Sequence, residues 1–168
     1  MTASRPTLAF LFRHPAHFVA LGFGAGLAPF APGTFGTLVA FPIAWLLRTY
    51  TNDAGFIATI VLLVAAGAWT ADITSRHLGS ADDGSIVIDE IAAFLAVLFF
   101  VGPEPIRVGV AFLLFRFFDI VKLPPAREID RNWHGGLGIM LDDLVAAGYA
   151  LVVFAIVVRV QGALWAAG

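Results

Sequence analysis

Five apolar units separated by polar or turn-forming residues organise this chain. The first opens over residues 18–27, an apolar run broken by Gly22, Gly24 and Gly26 that predicts a short helix or re-entrant segment. Pro29, Pro32 and Gly33 mark residues 28–37 as a loop, and a helix follows over 38–47. Residues 54–71 carry no charge across 18 positions, roughly what a bilayer hydrocarbon core requires. Residues 91–101 follow the pair Asp89-Glu90, and Gly102-Pro103-Glu104-Pro105 turns the chain into a helix over 106–121. Pro124-Pro125 stops that helix, because proline lacks the amide donor and restricts the residue before it. The last unit, 144–160, is apolar up to Arg159 near its end. The pattern predicts an all-α fold: a compact helical bundle of a polytopic membrane protein with about five apolar helical segments, some short or re-entrant. Residues 1–168 read as a single domain with a polar N-terminal segment over 1–17. That segment lacks the compact apolar core and small-residue cleavage site of a signal peptide.

Composition strengthens the membrane reading. Of 168 residues, 60% are hydrophobic and 13% charged, with a mean hydropathy of +0.89. Soluble domains average about 45–50% and about 25%, and a small soluble globule needs more polar cover than this. A net charge of -2 offers no footprint for a nucleic-acid backbone. With no cysteine there is no disulfide, thiolate zinc site or cysteine nucleophile. Trp45, Trp69, Trp133 and Trp165 fit interfacial anchors.

The few charges are unevenly placed. If each unit crosses, residues 1–17, 72–90 and 116–143 share one face, and 48–53, 102–107 and 159–168 share the other. The first face then holds seven of ten Lys and Arg, ten of twelve acids and all four histidines. The positive-inside rule makes it cytoplasmic, and a one-sided cluster of ionisable groups marks a site at the membrane surface.

Three clusters carry the candidate chemistry. Asp82, Asp83, Asp89 and Glu90 lead into the 91–101 helix. Arg116, Asp119 and Lys122 are spaced three apart and share a helix stripe. Asp142-Asp143 follow a glycine-rich segment at the start of the last helix. Adjacent carboxylates repel, and their burial is costly unless neutralised. An oxygen-rich set without cysteine suits Mg²⁺ or Mn²⁺. The same acids at a first helical turn also fit caps that favour the macrodipole. Neighbours on a helix point about 100° apart, so one residue of each pair is the expected direct ligand. Arg116 and Lys122 fit either partners of Asp119 or a phosphate-binding pair. Thr34 and Thr37 are potential helix caps, with Gly33 and Gly36 allowing close backbone approach, and the same segment fits an anion site. Gly22 and Gly26 fit close helix packing. His134 fits a loop hydrogen-bonder or a general acid–base, His14, His17 and His77 read as interfacial, and Asp72 with Arg76 as a solvated ion pair.

Five ordered segments together resemble the bacterial phosphatidylglycerophosphatase A family. They are Gly22-Phe23-Gly24-Ala25-Gly26, Pro32-Gly33-Thr34-Phe35-Gly36-Thr37, Asp83-Gly84-Ser85-Ile86-Val87-Ile88-Asp89-Glu90, Phe115-Arg116-Phe117-Phe118-Asp119-Ile120-Val121-Lys122, and Gly138-Ile139-Met140-Leu141-Asp142-Asp143 continuing to Gly148. Ala93 and Lys122-Leu123-Pro124-Pro125 depart from the family pattern, where Gly and Lys-Pro-Trp-Pro are usual, without removing an acid. The resemblance implies a Mg²⁺-dependent phosphatase of the cytoplasmic (inner) membrane. Its site would face the cytoplasm and convert phosphatidylglycerophosphate to phosphatidylglycerol and phosphate. It further implies that Asp89, Glu90, Asp142 and Asp143 bind metal, and that these acids and Asp119 form the catalytic set. Arg116, Lys122, His134, Thr34, Gly36 and Thr37 would bind the substrate. The expected partners are that lipid and the bilayer, with no nucleic acid and no identifiable protein partner. A phosphatase of another lipid monoester such as phosphatidic acid, a small transport subunit, and a very apolar soluble bundle are the competing readings.

Overall fold

The computed structural model describes residues 5–80, 83–133 and 135–166, with side chains described to residue 161. Asp82 and His134 lie outside the described residues, and the side chain of Trp165 is not among those described. Each helix boundary has a local cause. Thr7 accepts from Phe10 N at 3.3 Å to start α1 (Leu8–Arg13), and His14 accepts from Ala16 N at 3.1 Å to start α2 (Pro15–Ala20). These two short helices occupy much of the expected polar N-terminal segment. Two 3₁₀ turns over Gly22–Leu27 follow, where Gly22, Phe23 and Gly24 all take positive φ.

The expected loop over 28–37 ends early, because α3 (Pro32–Tyr50) already begins at Pro32. Proline is compatible with a first helical turn, where its missing N–H costs nothing. Thr34 and Thr37 therefore lie inside the helix rather than capping it; the cap is Ala31, with no side-chain bond.

Asn52 caps α4 (Asp53–Leu78) through Gly55 N at 2.9 Å, and Gly79 ends it at φ 70°. Central α5 (Ile88–Val101) is followed by α6 (Pro105–Val121), which Glu104 caps through two backbone amides at 3.1 and 2.9 Å. The Pro124-Pro125 stop is observed, with α6 ending at Val121. A short charged helix, α7 (Ala126–Asn132), precedes α8 (Gly136–Ala166).

The core forms around α5, which packs against α3, α4, α6 and α8. Ile91, Phe94, Leu95 and Val97 on it are fully buried. The Phe94 ring lies 5.5 Å from Phe41, 5.8 Å from Phe112 and 5.3 Å from Phe115, arrangements that add aromatic contact to apolar burial. At its far end Arg48 donates to Leu98 O at 2.5 Å and so satisfies a terminal helix carbonyl.

The architecture is all-helical among the described residues. Of the five expected apolar units, two are helices long and apolar enough to cross a membrane: α4 (Asp53–Leu78) and Gly136–Gln161 within α8. At 26 residues each, they are about 39 Å long, against a hydrocarbon core of about 30 Å. In both, only 28% of the most apolar window is buried, whereas a soluble core helix is mostly buried. Leu62, Leu113, Ile120 and Val152 are likewise exposed. Central α5, about 21 Å long, is instead wrapped by protein.

Candidate active site

One end of the bundle collects the acids. Asp89 and Glu90 occupy the first turn of α5, Asp119 the last turns of α6, and Asp142 and Asp143 the second turn of α8. Glycines make this convergence possible. A Cβ on Gly136 would sit 1.7 Å from Ala68 O, so only glycine lets α8 start this close to α4. A Cβ on Gly33 would sit 2.0 Å from Glu90 Oε1, so the start of α3 closes directly on the acid.

The acids line a cavity of about 170 Å³ together with Lys122, Asp130 and Trp133. Carboxylate oxygens of Asp89, Glu90 and Asp143 all lie within 4.8 Å of one another. Asp89 Oδ1, Glu90 Oε2 and Asp143 Oδ2 are out of contact with solvent and have no hydrogen-bond partner. Orphaned buried acceptors are costly, and carboxylates this close need shared protons or a cation. Asp89 and Glu90 lie outside the two helices long and apolar enough to cross a membrane. Burial raises the Asp89 carboxyl well above its usual range, with Glu90 and Asp143 adding repulsion. Burial likewise lifts Glu90 to about 7, opposed by its hydrogen bond with Asp89 and by Arg116. Convergent, unpartnered, hard oxygen donors fit a divalent cation such as Mg²⁺.

The cations divide the work. Arg116 Nη1 lies 2.6 Å from Asp119 Oδ2 and 3.6 Å from Glu90 Oε1, and donates to Thr37 Oγ1 at 3.3 Å. Thr37 in turn donates to Gly33 O at 2.8 Å. Arg116 thus braces Glu90 and Asp119 from behind, with Thr37 linking the brace to α3. Lys122 lines the cavity itself, with Nζ 2.5 Å from Asp130 and 2.6 Å from Asp142. Burial opposes its charge, but the hydrogen bonds to Asp130 and Asp142 outweigh burial and hold the ammonium above its usual range.

Of the predicted site residues, Asp89, Glu90, Asp119, Lys122, Asp142 and Asp143 share the cavity. Arg116 and Thr37 stand behind it through Glu90 and Asp119. Thr34 and Gly36 do not line it; a Cβ on Gly36 would sit 2.7 Å from Val87 Cβ, which makes that glycine a packing position. Gly22 and Gly26 also permit close approach, but from 3₁₀ turns onto the 85–91 segment rather than between helices. Asp72 and Arg76 form the expected solvent-facing ion pair. Asp130, missed in the sequence, belongs to the site through Lys122; its isolated place in a charged stretch gave no periodic signal.

A family model described as "Phosphatidylglycerophosphatase A" matches residues 18–158. An Escherichia coli (strain K12) protein named phosphatidylglycerophosphatase A is 39% identical over 134 residues, 79% of this chain and 77% of the relative. A Haemophilus influenzae protein (strain ATCC 51907 / DSM 11121 / KW20 / Rd) of the same name is 38% identical over 158 residues, 93% of this chain and 97% of the relative. A Bacteroides thetaiotaomicron protein (strain VPI-5482) is 36% identical over 147 residues, 82% of this chain and 90% of the relative, and is provisionally named a phosphatidylinositol-3-phosphatase. No solved structure matches at a significant level.

Proposed function

Because the chain belongs to the phosphatidylglycerophosphatase A family and is a phosphoric monoester hydrolase, we propose that it hydrolyses phosphatidylglycerophosphate to phosphatidylglycerol and inorganic phosphate. The observation that carries this reading is the convergence of Asp89, Glu90 and Asp143 oxygens beside Lys122 in one cavity. Asp89, Glu90 and Asp143, with Asp142 adjoining, would hold Mg²⁺. Such an ion, when bound, offsets phosphoryl charge and activates water. Water attacks phosphorus, the phosphorus–oxygen bond to glycerol breaks, and the alkoxide leaves with a proton from solvent. Asp119, oriented by Arg116 through Oδ2, accepts the proton of the attacking water through its other oxygen. Lys122 Nζ, held by Asp130 and Asp142, donates to a phosphoryl oxygen, where a fixed cation is worth most in the transition state. The protein sits in the bacterial inner membrane with this end toward the cytoplasm, the side that the seven-of-ten cation bias favours.

The test is phosphate release by protein purified in detergent. Phosphatidylglycerophosphate, phosphatidic acid and phosphatidylinositol 3-phosphate are compared, each with Mg²⁺ and with chelator. Wild type is expected to prefer the first lipid and to lose activity with chelator, and Asp143→Asn to lose about 100-fold or more. No release from any lipid would defeat the enzyme reading, preference for another lipid would defeat the substrate, and full activity in Asp143→Asn would defeat the metal set.

A further inference from the structure

A second set of polar groups lies outside the carboxylate cavity. Helices α1 and α2 and the C-terminal end of α4 enclose two adjoining clefts of about 380 and 230 Å³. Phe10, Arg13 and His77 line both; Arg5 adds to the larger, and His14 and His17 to the smaller. No carboxylate lines either cleft among the described residues. Arg13 is exposed and takes part in none of the ion pairs found among the described residues. Arg5 gives one nitrogen to Pro29 O at 2.6 Å and is otherwise exposed.

The walls are held in place. His17 is buried, with Nδ1 2.8 Å from Phe10 O and Nε2 2.7 Å from His77 Nδ1, and its ring stacks on Phe10 at 4.0 Å. His77 packs edge-on to His14 at 5.9 Å as well, so α1, α2 and α4 are tied through three imidazoles. Burial lowers the His17 pKa below its ordinary value and disfavours its charged form.

Beside these cations runs an apolar ridge. Leu8, Phe12, Phe18 and Phe23 are exposed, and the rings of Phe12–Phe18 and Phe18–Phe23 stand 6.0 and 5.5 Å apart. A cationic cleft flanked by outward aromatic rings is the distribution of an element lying in the membrane interface. The rings enter the acyl region while arginines meet phosphate at headgroup depth.

We propose that this cleft binds the phosphate headgroup of an anionic phospholipid, with Arg5 and Arg13 on the phosphate and Phe12, Phe18 and Phe23 against the acyl chains. The site is separate from the carboxylate cavity and does not depend on which lipid is hydrolysed. It adjoins the catalytic end through α2, whose Ala20 O accepts from Val87 N at 2.9 Å, immediately before α5.

The probe is dioctanoyl phosphatidylserine, an anionic diester with no phosphomonoester for the carboxylate cavity. Protein in neutral detergent is titrated with it, with dioctanoyl phosphatidylcholine, or with inorganic phosphate, and bound ligand is read by native mass spectrometry. Wild type and Asp143→Asn are expected to retain the anionic lipid equally. The double variant Arg5→Gln/Arg13→Gln should retain it less, on the order of tenfold, while Arg5→Lys/Arg13→Lys keeps most of it. Undiminished retention by the Gln variant, equal retention of phosphatidylcholine, loss of the lipid in Asp143→Asn, or equal occupancy by inorganic phosphate would each overturn the proposal. If the double variant unfolds, Arg13→Gln alone, at an exposed residue outside the observed ion pairs, gives the same readings.

Discussion

Gly33 shows how much depends on one missing methyl group. Any Cβ there meets Glu90 Oε1 at 2.0 Å and Arg116 Nη1 at 3.1 Å. Gly33→Ala is expected to displace Glu90 and lower kcat about tenfold or more. Helix propensity slightly favours alanine, so the thermal unfolding midpoint should move little; a large fall in that midpoint with unchanged kcat would contradict the placement. Lys122 supplies a second test at this scale. Lys122→Gln removes the cavity's cation and leaves Asp130 and Asp142 without it. Activity should fall about 100–1,000-fold, the range for losing one donor to charge that develops in the transition state. Asp130→Asn should fall less, since Asp142 still holds Nζ at 2.6 Å. Steady-state phosphate release orders the variants, and a larger loss for Asp130→Asn would argue against Lys122 as the reacting partner.

At the scale of the element, α8 carries both a stretch long and apolar enough to cross a membrane and two site acids, so its register against α4 controls the cavity. Gly136→Ala places a methyl 1.7 Å from Ala68 O, a backbone atom that cannot rotate away. Its expected cost is about 1–3 kcal/mol of stability, in the range for overpacking, together with loss of activity as Asp142 and Asp143 shift. Gly148→Ala, in the same helix with open space around it, is the contrast: it should be neutral or stabilise by up to about 1 kcal/mol. Thermal unfolding in detergent with parallel activity compares the two, and equal effects would sink the close-packing account. The elements were unevenly legible. Residues 54–71 and 144–158 announced themselves by uninterrupted apolarity, and Pro124-Pro125 marked the end of α6 because proline's restriction is local. The early start of α3 was hidden, because Pro32, Gly33 and Gly36 read as turn residues until α5 is seen packed against them. Helices α1, α2 and α7 are too short for a periodic signal and form through capping and tertiary contact.

For the whole molecule, the testable claims are sidedness and charge. The cysteine-free sequence lets single cysteines report without background. Glu128→Cys and Arg76→Cys at the catalytic end should react with an impermeant maleimide in inside-out vesicles, and Thr49→Cys at the opposite end in right-side-out cells. The reverse pattern would invert the topology. A cation held by Asp89, Glu90 and Asp143, as proposed, would bind the folded state alone and so stabilise it. The unfolding midpoint in detergent should therefore rise with Mg²⁺ in wild type and respond little in Asp143→Asn.

By itself the sequence determined the solvent of this protein and the inventory of its chemistry. Apolar runs specify burial in lipid or protein wherever they fold, and the scarcity of charge makes Asp89, Glu90, Asp119, Lys122, Asp142 and Asp143 conspicuous. Those properties belong to side chains and near neighbours. Only the tertiary structure decided which oxygens converge, that Arg116 braces carboxylates while Lys122 faces the cavity, that Gly36 packs on Val87, and that Asp130 joins from α7. Most of those contacts join separate helices, several of them tens of residues apart in the chain, and their geometry depends on how closely the helix backbones approach, which no local pattern encodes.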